Sequence, residues 1–164
     1  DHGCKRGFPT PSASLYYFLG LDKRHPESRR YGAYRQTFIR EDQTAEVDAV
    51  SGSFLMMPKE VFQKVGGFDE DYFMYGEDLD LCYRIKEAGC RVVYFAGASM
   101  THLRGQSGLS AQSKEIIYQF HYAMVLFYRK HFKKKYNVFV TGAVYAGIWL
   151  KYGLTRLKSM LKRG

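Results

Sequence analysis

Three kinds of residue are scarce in this chain: cysteine, proline, and acid in its last third. Only three of its 164 residues are Cys and four are Pro. Cys4, Cys82 and Cys90 are odd in number and form no C-x-x-C pair, which argues against a disulfide framework and against structural zinc. Cys82 reads as a small apolar residue on a helix, and a reducing cytosol is the default compartment. Long hydrophobic runs are missing too. The longest, Val138–Leu150, has 13 residues, short of the roughly twenty needed to span a bilayer. No secretory leader is expected at the start of the chain. It begins at Asp1 rather than Met, so a longer parent protein is expected. There is no internal repeat and no low-complexity tract.

The missing acid is the most informative of these. Residues 103–164 carry 12 Lys or Arg and a single acid, Glu115, whereas residues 1–102 carry 13 basic and 15 acidic residues. The net charge of +9 therefore belongs to the C-terminal third. Basic segments seek phosphates, in nucleic acid or in anionic lipid. What is present is otherwise ordinary for one globular domain, with 46% hydrophobic and 25% charged residues. Aromatic content is high at 16%, mostly Tyr and Phe, which suits cores, sugar-stacking surfaces and membrane interfaces alike.

Along the chain, Leu15–Leu21 is expected to be one helical stretch capped by Ser12 or Ser14. The segment after it reads as a loop. Val47–Val50 and Phe54–Met57 read as strands, with Gly52 between two serines where a backbone must come close to something. Pro58 should open a short helix that ends at Gly66–Gly67, with Val61, Phe62 and Val65 as its apolar stripe. In "EDLDLCYRIKEAG", Leu81, Cys82, Ile85 and Ala88 recur at helical spacing, and Gly89 is a natural C-cap. "RVVYFA" reads as a short buried strand. A long amphipathic helix follows, with Ile116, Ile117, Phe120, Met124 and Phe127 as its apolar face and His121 and His131 as packing or surface residues.

Six carboxylates, Asp69, Glu70, Asp71, Glu77, Asp78 and Asp80, crowd into twelve residues. Glu77, Asp78 and Asp80 fall in the first turn of a helix, where acid meets the positive end of the dipole. Asp80 reads as a cap of its own helix, and Asp69, Glu70 and Asp71 mostly as turn chemistry. Two literal D-x-D strings, Asp69–Asp71 and Asp78–Asp80, follow no apolar strand and are rejected as a metal motif.

"VSGSFLMM", "GGFDEDYFMYGEDLDLCYRIKEAGCRVVYF" and "THLRGQS", in that order, resemble the C-terminal half of a family 2 bacterial glycosyltransferase of the rhamnosyltransferase-like or cell-wall polysaccharide type. The resemblance is strong over Val47–Ser107 and loose elsewhere. It implies an α/β fold, the acceptor half of a GT-A Rossmann-like domain over residues 1–107. A long helix over 108–136 and a membrane-interfacial amphipathic helix over 137–164 are expected to follow.

The same resemblance implies Asp78 as general base. Glu77, Gly67 and Asp69 would lie on the acceptor side, and Ser51 and Gly52 on the donor side. His102 would be a ligand of a divalent cation, Mn²⁺ or Mg²⁺. Arg104 and Ser107 are candidates for the donor diphosphate, a solvated loop being the other reading. The implied reaction inverts the anomeric centre, moving a sugar from a nucleoside-diphosphate donor to a lipid-linked or glycan acceptor. A carboxylate must take the hydroxyl proton and a cation must neutralise the leaving diphosphate. The D-x-D strand and phosphate loop of the donor half are absent, so the chain alone is expected to be inactive.

The apolar run with Tyr145, Trp149, Tyr152 and flanking lysines reads as an interfacial helix on an anionic membrane, peripheral at the cytoplasmic face of the bacterial inner membrane. Two rivals stand beside this reading: an inactive half-domain that docks on membrane or a partner, and a basic nucleic-acid module. No RNA- or DNA-binding motif is present, so nucleic acid is not an expected partner.

Overall fold

The computed structural model describes residues 3–101 and 114–161. The chain forms two compact units, one of Asp1–Asp69 with Glu77–Thr101 and one of Glu70–Gly76 with His102–Gly164.

The first unit mixes helices with two small antiparallel sheets. Strand β1 (Lys5–Arg6) pairs with β3 (Ala49–Val50), and β2 (Ala45–Val47) pairs with β4 (Val92–Tyr94), setting Val47 opposite Val92. No parallel pairing occurs among the described residues. Between β2 and β3, Asp48 accepts from the Phe8 amide and from Lys86 Nζ. Val47, Ala49 and Val92 meet Leu81, Cys82 and Ile85 of helix α4 (Glu77–Glu87), with Ile39, in one core. Burying each of the larger aliphatic side chains there stabilises the fold by about 1.5–3 kcal/mol.

Two helices of this unit end in the same way. After α3 (Lys59–Lys64), Gly66 and Gly67 have φ of +80° and +71°. The Gly67 amide donates to Phe62 O and the Gly66 amide to Gln63 O. After α4, Gly89 has φ of +80°, the Cys90 amide donates to Ile85 O and the Gly89 amide to Lys86 O. Both are Schellman closures, which satisfy the last carbonyls and need a residue at ease with positive φ.

Elsewhere the structure differs from expectation. Helix α1 (Pro11–Phe18) starts early and is capped by Thr10, whose Oγ1 accepts from the Ala13 amide at 3.3 Å. Ser12 and Ser14 lie inside it. Gly20, at φ +67°, breaks the stretch before α2 (Leu21–Arg24). Phe54–Met57 is no strand, since no described strand lies beside it, and Met56 is 82% exposed. In β4 only Val92 is buried, because a two-stranded sheet packs one face on the core.

In the second unit, α5 (Lys114–His131) leads through a 3₁₀ turn (Lys133–Lys135) into α6 (Val138–Leu161). The two helices pack together. Tyr128 Oη lies 3.1 Å from Thr141 Oγ1, and ring contacts join Tyr118 to Trp149, His121 to Tyr152 and Tyr128 to Tyr145. Ile116, Ile117 and Phe127 are buried as expected, but Phe120 is exposed and Met124 half-buried, while His121, Leu126 and Tyr128 are buried. Residues 117, 121 and 128 recur at helical spacing, and α6 covers that side of α5. His121 Nδ1 lies 2.7 Å from Ile117 O. Asp71, in a turn as expected, also pairs with Lys130 of α5 at 2.5 Å. Among the described residues no helix is long and apolar enough to cross a membrane.

Candidate active site

The candidate site lies in the first unit, where the turn after β3 meets the first turn of α4. Ser51–Ser53 leave the sheet with the Ser51 amide still donating to Cys4 O, and the Ser51 and Ser53 hydroxyls 3.0 Å apart. The next amide, that of Gly52, donates to Asp78 Oδ2 at 2.8 Å. Asp78 Oδ1 accepts from the Leu79 amide at 2.7 Å. Two backbone donors thus fix the orientation of one half-buried carboxylate. Each oxygen keeps a further lone pair for a substrate hydroxyl. The approach is tight: a Cβ at position 52 would lie 3.1 Å from Asp78 Cβ, so the neighbour would have to give by a few tenths of an ångström.

Glu77 stands beside it with a different character. Burial, and secondarily the Asp78 charge, push its carboxyl above the ordinary value of 4.5, against a backbone hydrogen bond that lowers it. Its Oε2 is buried without a hydrogen-bond partner among the described residues. The backbone entering this pair is unusual: Tyr75 and Gly76 have φ of +68° and +84°. A bulky residue at positive φ is strained, and such strain gathers at functional sites.

Asp80 is fully buried and meets the Arg84 guanidinium at 2.7 Å and 2.8 Å. Arg84 also donates to the carbonyls of Val65 and Gly67. One fork therefore ties α4 to the Gly66–Gly67 turn, so Gly67 has a structural contact through its carbonyl. Asp69 lies two residues beyond it, half-buried.

A cavity of about 540 Å³ opens beside Gly52, lined by Leu55, Met56, Met57, Lys59, Phe62 and Phe68.

The Ser51–Ser53 turn and the Glu77–Asp78 helix start come together in the first unit, and residues 26–117 match the family described as Glycosyltransferase like family 2. The chain belongs to that family. It is 44% identical over 75 residues to an N-acetylglucosaminyl-diphospho-decaprenol L-rhamnosyltransferase of Mycobacterium tuberculosis, covering 46% of this chain and 24% of the relative. It is 34% identical over 110 residues to rhamnosyltransferase WbbL of Escherichia coli K12, covering 66% of this chain and 38% of the relative. Likeness extends to the low-salt glycan biosynthesis hexosyltransferase Agl10 of Haloferax volcanii, 29% identical over 84 residues, 51% of this chain and 24% of the relative. The chain thus spans roughly a quarter to two-fifths of the length of these relatives. No solved structure matches it significantly.

Within this rhamnosyltransferase-like member of family 2, Ser51, Gly52 and Asp78 are brought together. His102, Arg104 and Ser107 lie outside the described residues. Among the described residues no three His, Cys, Asp or Glu side chains converge, and the Asp78 oxygens face backbone donors.

One neighbour was invisible in the sequence. The Tyr34 phenol is pushed up by burial, with Arg6 opposing and the Tyr17 and Asp78 charges adding, so it lies within electrostatic reach of the candidate base. Tyr34 sits in an irregular segment with no periodic signal, and only its position in the fold reveals it.

Proposed function

We propose that the full-length protein is an inverting glycosyltransferase of cell-envelope glycan synthesis, and that this chain is the C-terminal, acceptor half of its GT-A domain. Asp78 is the general base. The observation that carries this reading is the Asp78 carboxylate held at both oxygens by the Gly52 and Leu79 amides. A fixed carboxylate is what proton removal in the transition state asks for.

In the proposed step the acceptor hydroxyl oxygen attacks the anomeric carbon as Asp78 takes its proton. The bond from that carbon to the nucleoside diphosphate breaks on the opposite face, and the electron pair leaves with the diphosphate. Glu77, next to the base in sequence, would orient the acceptor. Ser51 would face the donor, and Gly67 and Asp69 the acceptor. The cavity beside Gly52 suits a lipid-diphosphate-linked sugar: its wall of Met56, Phe62 and Phe68 is apolar, and Lys59 matches a phosphate. The mycobacterial relative's printed name, with its diphospho-decaprenol acceptor, favours the same class, and rhamnose is the sugar proposed. A divalent cation, Mn²⁺ or Mg²⁺, would counter the diphosphate charge, with His102 as its proposed ligand. Such an enzyme would work peripherally at the cytoplasmic face of the inner membrane.

The test is transfer of labelled sugar from a nucleoside-diphosphate donor to a lipid-diphosphate acceptor by the full-length protein. Transfer by wild type and its loss in Asp78→Asn support the reading. Undiminished transfer in Asp78→Asn overturns it.

A further inference from the structure

Helix α6 has two unlike sides. Thr141, Tyr145, Ile148 and Tyr152 face α5 or lie buried against it. The other side carries Phe139, Ala146, Leu150, Leu154, Leu157 and Leu161, all exposed, with Phe139 at 84%, Leu150 at 67% and Leu161 at 75%. Their spacing of seven, four, four, three and four residues keeps them on one face of a helix. Apolar residues so ordered along a 24-residue helix are more than the scattered hydrophobics of an ordinary surface.

Charge says what covers this face. No acid occurs after Glu115. Lys158 is exposed beside Leu154, Leu157 and Leu161, and Lys133 and Lys134 are exposed at the turn that opens the helix. Trp149, 40% exposed, lies at the border of the stripe. A second copy would bring the same cations to the interface, and a nucleic acid has no use for the leucines. Apolar stripe, cationic border and an aromatic at the edge together fit a negatively charged lipid surface. The opposite side of the helix is committed to α5.

We propose that the Phe139–Leu161 face of α6 is a monotopic docking surface for an anionic lipid bilayer. The apolar side chains sink below the phosphates, Lys158 and the hairpin lysines meet the headgroups, and Trp149 sits at the interface. This specifies the face behind the peripheral location proposed above, and it does not depend on the chemistry at Asp78.

Trp149 is the only tryptophan of the chain, so its emission reports on this helix. The test mixes the 164-residue chain with phosphatidylcholine vesicles, with and without phosphatidylglycerol, and follows co-sedimentation and Trp149 emission. The expected result is co-sedimentation and a blue shift with the anionic vesicles, weakening as salt rises. Leu150→Glu/Leu157→Glu should cut partitioning by about tenfold or more. Both side chains are exposed, and far-UV circular dichroism confirms that the helices persist. A chain that stays in the supernatant overturns the proposal, as does a double variant that binds as well as wild type. A concentration-dependent dimer that the double variant abolishes, without vesicle binding, overturns it in favour of a second copy. In the full-length enzyme the double variant should retain transfer to a water-soluble acceptor while Asp78→Asn loses it, so the two proposals fail separately.

Discussion

The Gly52 amide donates to Asp78 Oδ2 at 2.8 Å across 26 positions of sequence. That bond joins the turn after β3 to the start of α4, and it brings position 52 close against the Asp78 side chain. Gly52→Ala would set a Cβ 3.1 Å from Asp78 Cβ, so the carboxylate must give way by a few tenths of an ångström. Misplacing a reacting group by 1 Å can cost about 10²-fold. Gly52→Ala is therefore expected to lower kcat on the order of tenfold, with little change in thermal midpoint. Steady-state kinetics beside calorimetry check the pair of outcomes.

The Asp80–Arg84 pair is expected to matter for stability. Removing one partner of a buried pair strands the other's charge, at about 3–5 kcal/mol. Arg84→Met does this to a fully buried Asp80 and also releases the carbonyls of Val65 and Gly67. Urea unfolding should show that loss. Asp80→Asn combined with Arg84→Met should cost less than the two single changes added together.

Glu77 sets a pH dependence whose sign is fixed. Its folded-state pKa lies above the ordinary 4.5, through burial first. The folded state then binds the proton more tightly, so its contribution to stability is full below the unfolded value and is lost as pH rises through the folded one. At neutral pH the protein holds a half-buried carboxylate with one unpartnered oxygen. Glu77→Gln should therefore melt above wild type at pH 7, the gap closing as pH falls toward 4.5. A gap that does not change with pH would show that the charge is not the cause.

Cys82 is fully buried and its thiol is pushed up to about 11, mainly by burial, whereas Cys4 is exposed. Thiolate, not thiol, reacts with disulfide reagents. With Cys90 replaced by Ser, one thiol should react promptly and the second only on unfolding. A second prompt equivalent in the native protein would contradict this placement.

What the sequence made legible was local. Gly66, Gly67 and Gly89 marked helix ends, and both closures form because the hydrogen bonds involved span only a few residues. Leu81, Cys82 and Ile85 marked the inward face of α4 by spacing alone. Contacts between distant segments were not legible. Gly52 announced a close approach but not that Asp78 was its partner. Asp80 gave no sign that Arg84 links it to Gly67. Phe54–Met57 had strand-like composition, yet a strand needs an edge to pair with. The inward face of α5 was misplaced by about one position, since α6, not the apolar count, decides which side is covered.

The most direct test of the central claim is a comparison of kcat and KM for Asp78→Asn and wild type in the full-length enzyme. A positioned general base contributes about 10²–10⁴-fold. The account predicts a fall of that size in kcat with KM for the acceptor nearly unchanged. A kcat within a few-fold of wild type would mean that another group takes the proton and that Asp78 only holds the Gly52 turn in place.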